Sequence, residues 1–540
     1  MALDLSALSL DWKLARARFE RDVRDDFFPD VLRNRDVFAA AKGKIDGVLR
    51  LDAYVPEPAE NWETPKANFT VRHCINVAAV DRLVYQALVD YLTLYCEPHF
   101  LDRSYAFRLR ATDAAEMYKP FVDQRALFDG AVRDRLAQDA NAHVVMTDVS
   151  SYFENVVFDI LKRKLIDLTG AVPGDEPMAV IEALMSCLSV WSPYRTYGLP
   201  QNMFPSSFLG NVYLHSLDVF MTDAGFDCHR YMDDIRIITP TEADARRALR
   251  CIHSQLRELN LSVNGGKTEI VRPGTAPWTK LTQPADPEFE EIETVVRRQR
   301  LDELPAVVDR LNTMLRALID AGQGLDRRRL KFCLGRLSSI KRLRRQEVPV
   351  TEPTDGYASR LMELVKWLPE ETSNVCDYFH VIDECSDEVV GALSGLLRDE
   401  QSGLYPCQKY RLWLLASEIA TDDVALMDAA RDVVIANAEP AEVAGAAVYL
   451  GAVGHPDDGT LLAALAEVGQ FSSISVRRAL CIAIQNVPGV QAVLTALAEA
   501  SASVAVLVQY LSKLPTPAYA GPARRIPLRR LAGEMPDMFS

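Results

Sequence analysis

The chain has 540 residues, 49% of them apolar and 25% charged, with a net charge of −15. That length is too great for one ordinary domain and predicts roughly two to four units. The composition is that of a soluble globular protein, and no stretch approaches the ~20 apolar residues that a bilayer span requires.

In chain order, residues 10–50 read as helical. The opening MALDLSALSLDWKLARARFERD turns charged too early for the apolar core of a signal peptide, so a cytoplasmic protein is expected. Ten cysteines with no C-x-x-C pair are read as reduced thiols and not as a zinc site. From about 50 to 275 the pattern is mixed. Strand-like HVVMTDV (143–149) and IRIIT (235–239) alternate with helical 81–92 and 242–259, and LSVNGGKTEIV (261–271) looks like a hairpin around Asn264-Gly265-Gly266. After Pro284 helices dominate. Within 421–511, Asp422-Asp423 recurs as Asp457-Asp458, and Leu465-Ala466-Glu467 recurs as Leu497-Ala498-Glu499. A 32–35-residue period of paired amphipathic helices suggests a HEAT-like α-solenoid, with an Ala/Leu-rich helical bundle as the alternative.

The net charge at first disfavours a nucleic-acid partner, but it is unevenly spread. From Thr351 onward 13 Lys+Arg face 25 Asp+Glu, which leaves 47 against 50 for residues 1–350. Local basic surface matters more than the total. The densest basic run is Leu325–Arg345, with nine Lys/Arg and one acidic residue. Arg327, Arg328, Arg329, Lys331, Arg336, Lys341 and Arg342 there are candidate phosphate-backbone contacts. The alternatives are a solvated helix face or a contact with the acidic C-terminal half of a neighbouring subunit. Arg524, Arg525, Arg529 and Arg530 form a weaker basic tail.

The sharpest chemical signal is Tyr231-Met232-Asp233-Asp234 between two strand-like runs. Adjacent carboxylates at a tight turn suit divalent cations and phosphoryl transfer, although such a tetrapeptide alone is weak. Its partner is Asp148, which ends the apolar run Val144–Thr147. A few carboxylates plus substrate phosphates make a suitable magnesium shell, and two ions about 4 Å apart would serve both the attacking and the leaving oxygen. His229, beside the turn, reads as structural.

These blocks resemble reverse transcriptases in collinear order over roughly residues 60–275. Lys66 and Arg72, in PKANFTVRHCINV, look like the fingers residues that contact the incoming triphosphate. Arg103–Arg108 (RSYAFR) is similar to the block that follows in bacterial members. Asp148, Asp233 and Asp234 match the catalytic carboxylates, with Val149 expected to add a metal ligand. Phe153 matches the steric gate that excludes a ribose 2′-hydroxyl. Gly198-Leu199-Pro200-Gln201 looks like the next palm motif, in which Gln201 lines the nucleotide pocket, and Lys267 matches a lysine near the leaving phosphates. The family has Gly where this chain has Asn202, a residue that tolerates unusual backbone angles. The resemblance implies Mg²⁺ (two ions, with Mn²⁺ able to substitute), dNTP substrates, and an RNA template or noncoding RNA with a DNA product.

The expected fold is therefore α+β: reverse-transcriptase fingers and palm over 1–275, a helical thumb-like region with the basic patch over 276–350, and HEAT-like helical repeats over 351–540. A polymerase followed by helical repeats, with no recognisable nuclease or maturase domain, resembles the abortive-infection and related defence-associated reverse transcriptases. Some members of that group make DNA without a template, primed from a protein hydroxyl, and form trimers or hexamers through their helical repeats, while others copy a noncoding RNA; the resemblance thus implies a homo-oligomer, trimer or hexamer. The alternatives are a retron-like or group II-intron-derived enzyme, and a helical scaffold on an inactive polymerase fold.

Overall fold

The computed structural model describes residues 2–22, 49–283, 287–298, 300, 302–343, 350, 356–381, 385–420, 423–437, 439–469, 471–485, 487–499 and 501–512. The stretch 23–48 of the expected N-terminal helix and the Arg524–Arg530 tail lie outside these residues.

The first elements are α1 (Trp12–Asp22), the strands β1 (Glu60–Pro65) and β2 (Val71–Asn76), α2 (Ala79–Cys96) and α3 (Phe121–Gln138). β3 (His143–Asp148), α4 (Phe158–Thr169), α5 (Glu176–Trp191), α6 (Phe204–Asp223), β4 (Asp227–Tyr231), β5 (Asp234–Thr239), α7 (Glu242–Glu258) and β6 (Glu269–Val271) follow. The last four strands named form an antiparallel sheet in the order β4-β5-β3-β6. β3 and β5 are runs of β-branched residues because both faces of the sheet are covered. Val145, Ile235 and Ile237 join the main core, while Val144, Ile238 and Val271 meet Val132 and Leu136 of α3 in a smaller cluster.

The 261–271 segment is not the hairpin that its Gly-Gly suggested. Gly265–Lys267 form a short 3₁₀ turn, β6 pairs with β3, and Val263 bridges Val149. The open edge of β3 takes up the backbone groups that a hairpin would have satisfied internally. β1 and β2 pair only with each other, in a two-stranded sheet apart from the first.

The remaining helices are α8 (Ala276–Thr282), α9 (Pro287–Arg297), α10 (Leu304–Ala321), α11 (Arg327–Leu343), α12 (Tyr357–Glu363), α13 (Thr372–Val381) and α14 (Asp387–Arg398), then α15 (Pro406–Ile419), α16 (Val424–Ala436), α17 (Pro440–Val453), α18 (Pro456–Glu467), α19 (Ile474–Ile484), α20 (Gln491–Glu499) and α21 (Ala502–Leu511). They pack in two rows. α11, α13, α15, α17, α19 and α21 touch in succession, and α10, α12, α14 and α16 run beside them. Sequential helices pair across the rows, as α16 with α17 and α18 with α19. Inner-row helices approach closely: a Cβ on Gly451 would sit 2.6 Å from Ala483 Cα. This two-row packing already includes α11, ahead of residue 351.

Among the described residues no helix is long and apolar enough to cross a membrane. All ten cysteines are free.

Candidate active site

The Tyr231–Asp234 turn is as tight as a hairpin allows. Tyr231 pairs with Asp234, so Met232-Asp233 is a two-residue loop. Met232 takes φ +57, the left-handed conformation that such loops need and that non-glycine residues seldom adopt. Its side chain is buried, and its carbonyl accepts from Arg230 Nη1 at 3.0 Å.

Arg230 is itself buried and locked to Asp218 by Nε at 2.8 Å and Nη2 at 2.6 Å. Asn211 Oδ1 accepts from Nη1 and Ser104 Oγ from Nη2. The Arg103–Arg108 block runs alongside β4: Ser104 bridges Arg230, and the Tyr105 amide donates to the Arg230 carbonyl. His229 is buried between the Tyr105 hydroxyl (3.0 Å) and Asp227 (3.2 Å), a structural placement.

β3 and β5 pair with Asp148 opposite Asp234, and the Val149 amide donates to the Asp233 carbonyl. Asp148, Val149 and Asp233 line a cleft of about 790 Å³. Burial pushes the Asp233 carboxyl up to about 6, and the Asp148 charge adds to that. Lys267 Nζ lies 3.1 Å from Asp148, and Asn264 Nδ2 donates to the same carboxylate at 3.3 Å. Asp234 is placed differently. It is absent from the cleft lining, and its carboxylate meets Arg125 at 3.2 Å and Arg236 at 3.6 Å. Burial raises its pKa while these two guanidinium groups oppose the rise.

The chemistry of the donors suits a hard divalent cation: two carboxylates crowd one cleft and repel, and Lys267 pairs directly with only one of them, Asp148. Among the described residues no group of three or more His, Cys, Asp or Glu is gathered to hold a metal. The protein thus offers two converging carboxylates, with Asp234 turned to its arginines.

The same cleft collects Lys66, Arg72, Phe153, Gln201 and Lys267. Lys66 starts the β1–β2 turn, and Arg72 stands opposite Thr64 on β2. Phe153 follows β3 in a short 3₁₀ turn, stacked at a tilt on Tyr152. Gln201 is held by donating to the His73 carbonyl (3.0 Å) and to Glu154 (3.4 Å). Asn202, where the family has Gly, takes φ +56, the left-handed conformation that glycine would adopt freely.

The basic helix divides. Lys331 lines the cleft. Arg327 reaches the Ala67 carbonyl and Glu370, and Arg328 and Arg329 lie over the Phe289 ring. Arg336 and Lys341, expected to grip a phosphate backbone, are buried instead, with Arg336 paired to Glu293 at 2.8 Å. The reason is helical period: Leu330, Leu334 and Leu337 define the apolar stripe of α11, and Lys341 falls on its continuation. The Arg342 side chain lies outside the described residues. Within the chain, Arg327 meets one acidic residue of the C-terminal half, Glu370.

Several residues escaped the sequence reading. Arg125 stacks over Phe128 and Tyr231 as it holds Asp234. Asp218 and Asn211 have no local motif; only their helical spacing on α6, seven residues apart on one face, hints at a shared partner. Glu370, Glu371, Thr372, Ser373, Cys407, Gln408 and Arg411, all beyond residue 351, form a further wall of the cleft.

Residues 64–296 match the family model described as reverse transcriptase (RNA-dependent DNA polymerase). No curated protein matches the chain. Among solved structures, a telomerase from Candida albicans in complex with a TWJ fragment of telomeric RNA shares 12% identity at a TM-score of 0.32, covering 66% of this chain and 66% of that one, just under two thirds. An apo telomerase from Candida tropicalis shares 11% at 0.30, covering 74% and 75%. The family match, joined to the turn and cleft above, identifies residues 64–296 as a reverse-transcriptase domain, a domain of the DNA nucleotidyltransferase class.

Proposed function

We propose that the protein is a DNA polymerase that transfers deoxynucleotides from dNTPs, copying RNA or working without a template, and that it acts in antiphage defence. The observation that carries the polymerase reading is the meeting of Asp148 and Asp233 in one cleft with Lys66, Arg72, Phe153, Gln201 and Lys267. Two Mg²⁺ ions (or Mn²⁺), held by Asp148, Asp233 and the Val149 carbonyl with Asp234 as third carboxylate, would activate the primer hydroxyl and neutralise the leaving pyrophosphate.

The chain's own residues do the rest. Lys66, Arg72 and Lys267 bind the triphosphate oxygens as point charges or forks. Lys267 leaves Asp148 for a phosphate when substrate enters. The Phe153 ring closes the space that a ribose 2′-hydroxyl would need. Gln201, pinned by His73 and Glu154, holds the base side of the pocket in place.

Replacing Asp233 by Ala is expected to abolish incorporation in Mg²⁺ or Mn²⁺ while the far-UV spectrum and unfolding midpoint stay near wild type. Wild-type extension rates in that variant would end the assignment.

The defence reading draws on architecture: a reverse-transcriptase domain followed by paired helices with the layering of HEAT-like repeats. On this reading the boundaries fall near 275 and 350, priming from a protein hydroxyl is available, and the protein is a trimer or hexamer. Light scattering at micromolar concentration is expected to show an oligomer. A monomer free of nucleic acid would count against the group assignment and leave the polymerase reading standing.

A further inference from the structure

The hairpin that carries Lys66 and Arg72 is a two-stranded sheet, separate from the palm sheet. A lone hairpin of this kind is marginal in water and needs outside support. Its support comes mainly from helices more than 300 residues later in the chain.

The base of the hairpin is held by two glutamates. Glu60 accepts from the Ser473 hydroxyl at 2.6 Å, from the Ser475 amide at 3.1 Å and from the Ser475 hydroxyl. Glu57 accepts from the Ser501 hydroxyl at 2.6 Å and from the Ser503 amide at 3.3 Å. Ser473 and Ser501 are the N-cap residues of α19 and α21. Each carboxylate therefore sits at the positive end of a helix, where backbone amides and the helix dipole favour an anion. The two receptors repeat in sequence: Ser473-Ile474-Ser475-Val476 and Ser501-Ala502-Ser503-Val504. The tip is held through its backbone, with the Phe69 carbonyl accepting from the Tyr405 hydroxyl and the Ala67 carbonyl from Arg327. Between them Trp62 packs edge-on against Tyr410.

We propose that Glu57 and Glu60 are positioning residues for nucleotide binding, latching the Lys66/Arg72 hairpin to the N-termini of α19 and α21. The C-terminal helices are then a working part of the nucleotide cleft as well as any assembly surface. The inference rests on reading that cleft as the dNTP site. A hairpin freed from its latch keeps its lysine and arginine but no longer presents them at a fixed distance from Asp148 and Asp233. The loss falls on substrate affinity, because the carboxylates and Lys267 stand on the palm sheet.

The test uses the full-length protein. In Glu57→Ala/Glu60→Ala, KM for dNTP is expected to rise about tenfold, the scale of one lost charge-assisted hydrogen bond, with kcat within about twofold. Amide exchange should quicken in residues 60–76 and not in 143–148 or 227–239. Glu57→Gln/Glu60→Gln keeps the shape and should recover part of the affinity. If the double Ala variant fails to fold, Ser475→Ala removes one side of the latch from the helix and should give a smaller shift of the same kind. Unchanged KM and unchanged hairpin exchange in an active variant would overturn the latch alone, as would kcat and KM effects that merely track the folded fraction. A wild-type protein that binds and incorporates no dNTP would overturn the underlying reading.

Discussion

Two β-hairpins face the same cleft and are held by opposite means. The β4–β5 turn is secured from within. Arg230 and Asp218 lie twelve residues apart in sequence, and with Asn211 and Ser104 they saturate a buried guanidinium whose Nη1 fixes the Met232 carbonyl. The β1–β2 hairpin is secured from outside, by carboxylates placed on helix N-termini. Breaking a buried pair leaves a charge stranded in low dielectric, whereas breaking a half-exposed latch lets water replace the partner. The β4–β5 floor therefore fails by unfolding, and the β1–β2 wall fails by loosening.

The largest expected effect follows on the floor side. Arg230→Met leaves the Asp218 carboxylate buried without its cation, at a cost of about 3–5 kcal/mol. Urea unfolding should show the fall as a lower midpoint with unchanged slope. Asp218→Leu combined with Arg230→Met should cost less than the two single changes summed, since it removes both charges. If Arg230→Met proves as mild as the latch variants, the contrast between the hairpins collapses.

The same contrast explains what the sequence could and could not reveal. The positions of Asp148 and of the Tyr231–Asp234 turn were legible because strand, turn and carboxylate are local patterns, and β3 and β5 fall where HVVMTDV and IRIIT stand; that Asp234 turns to Arg125 and Arg236 was not. That Lys66, Arg72, Phe153, Gln201 and Lys267 share one cleft was legible through collinear order. The hairpin reading of 261–271 failed because the turn residues were right but a better partner, the edge of β3, lay over a hundred residues away. The basic helix was read by counting charges. Laying Leu330, Leu334 and Leu337 on a helical wheel would have put Lys341 on the buried stripe. Nothing local in the sequence marks Glu57 and Glu60, because their partners lie more than 400 residues along the chain and the S-x-S-V repeat has no meaning until α19 and α21 are placed.

A smaller effect sits at the joint between the two regions. Asp81 is buried at the start of α2 and accepts from the Tyr54 hydroxyl at 2.6 Å, the Glu57 amide at 2.7 Å and Trp191 Nε1 at 2.9 Å. Burial raises its carboxyl to about 7; the Tyr54 and Trp191 hydrogen bonds resist the rise, and the nearby Glu57 charge adds to it. In the unfolded chain the group ionises near pH 4. Between about pH 4 and 7 the native state holds a proton that the unfolded state has lost, so stability falls as pH rises through this window. The contribution is complete below about 4 and gone above about 7, on the order of a few kcal/mol. Thermal or urea unfolding across that range should show the slope, and Asp81→Asn should reduce it, leaving the share of Asp90 and Asp233, both raised to about 6.

The finest test is made on a ring that lines the cleft with both hairpins. Phe153 lines the cleft with Asp148, and helix α6 backs it at Gly210, where an added Cβ would lie 3.4 Å from Phe153 Cε1 and 3.3 Å from both Tyr152 Cε1 and Met232 Sδ. The ring has no room to retreat from a 2′-hydroxyl. Phe153→Val opens that space and leaves both hairpin supports untouched, so the unfolding midpoint should move little and dNTP incorporation should persist. Discrimination against ribonucleotides, read as the ratio of kcat/KM for dNTP to that for rNTP, should fall by about tenfold to a hundredfold, the scale of a pocket changed by a few carbon atoms. The Glu57/Glu60 variants should weaken dNTP and rNTP alike if, as proposed, the hairpin they hold meets the triphosphate and not the sugar. Equal loss of sugar discrimination in both sets of variants would mean that the hairpin, and not the ring, shapes the sugar pocket.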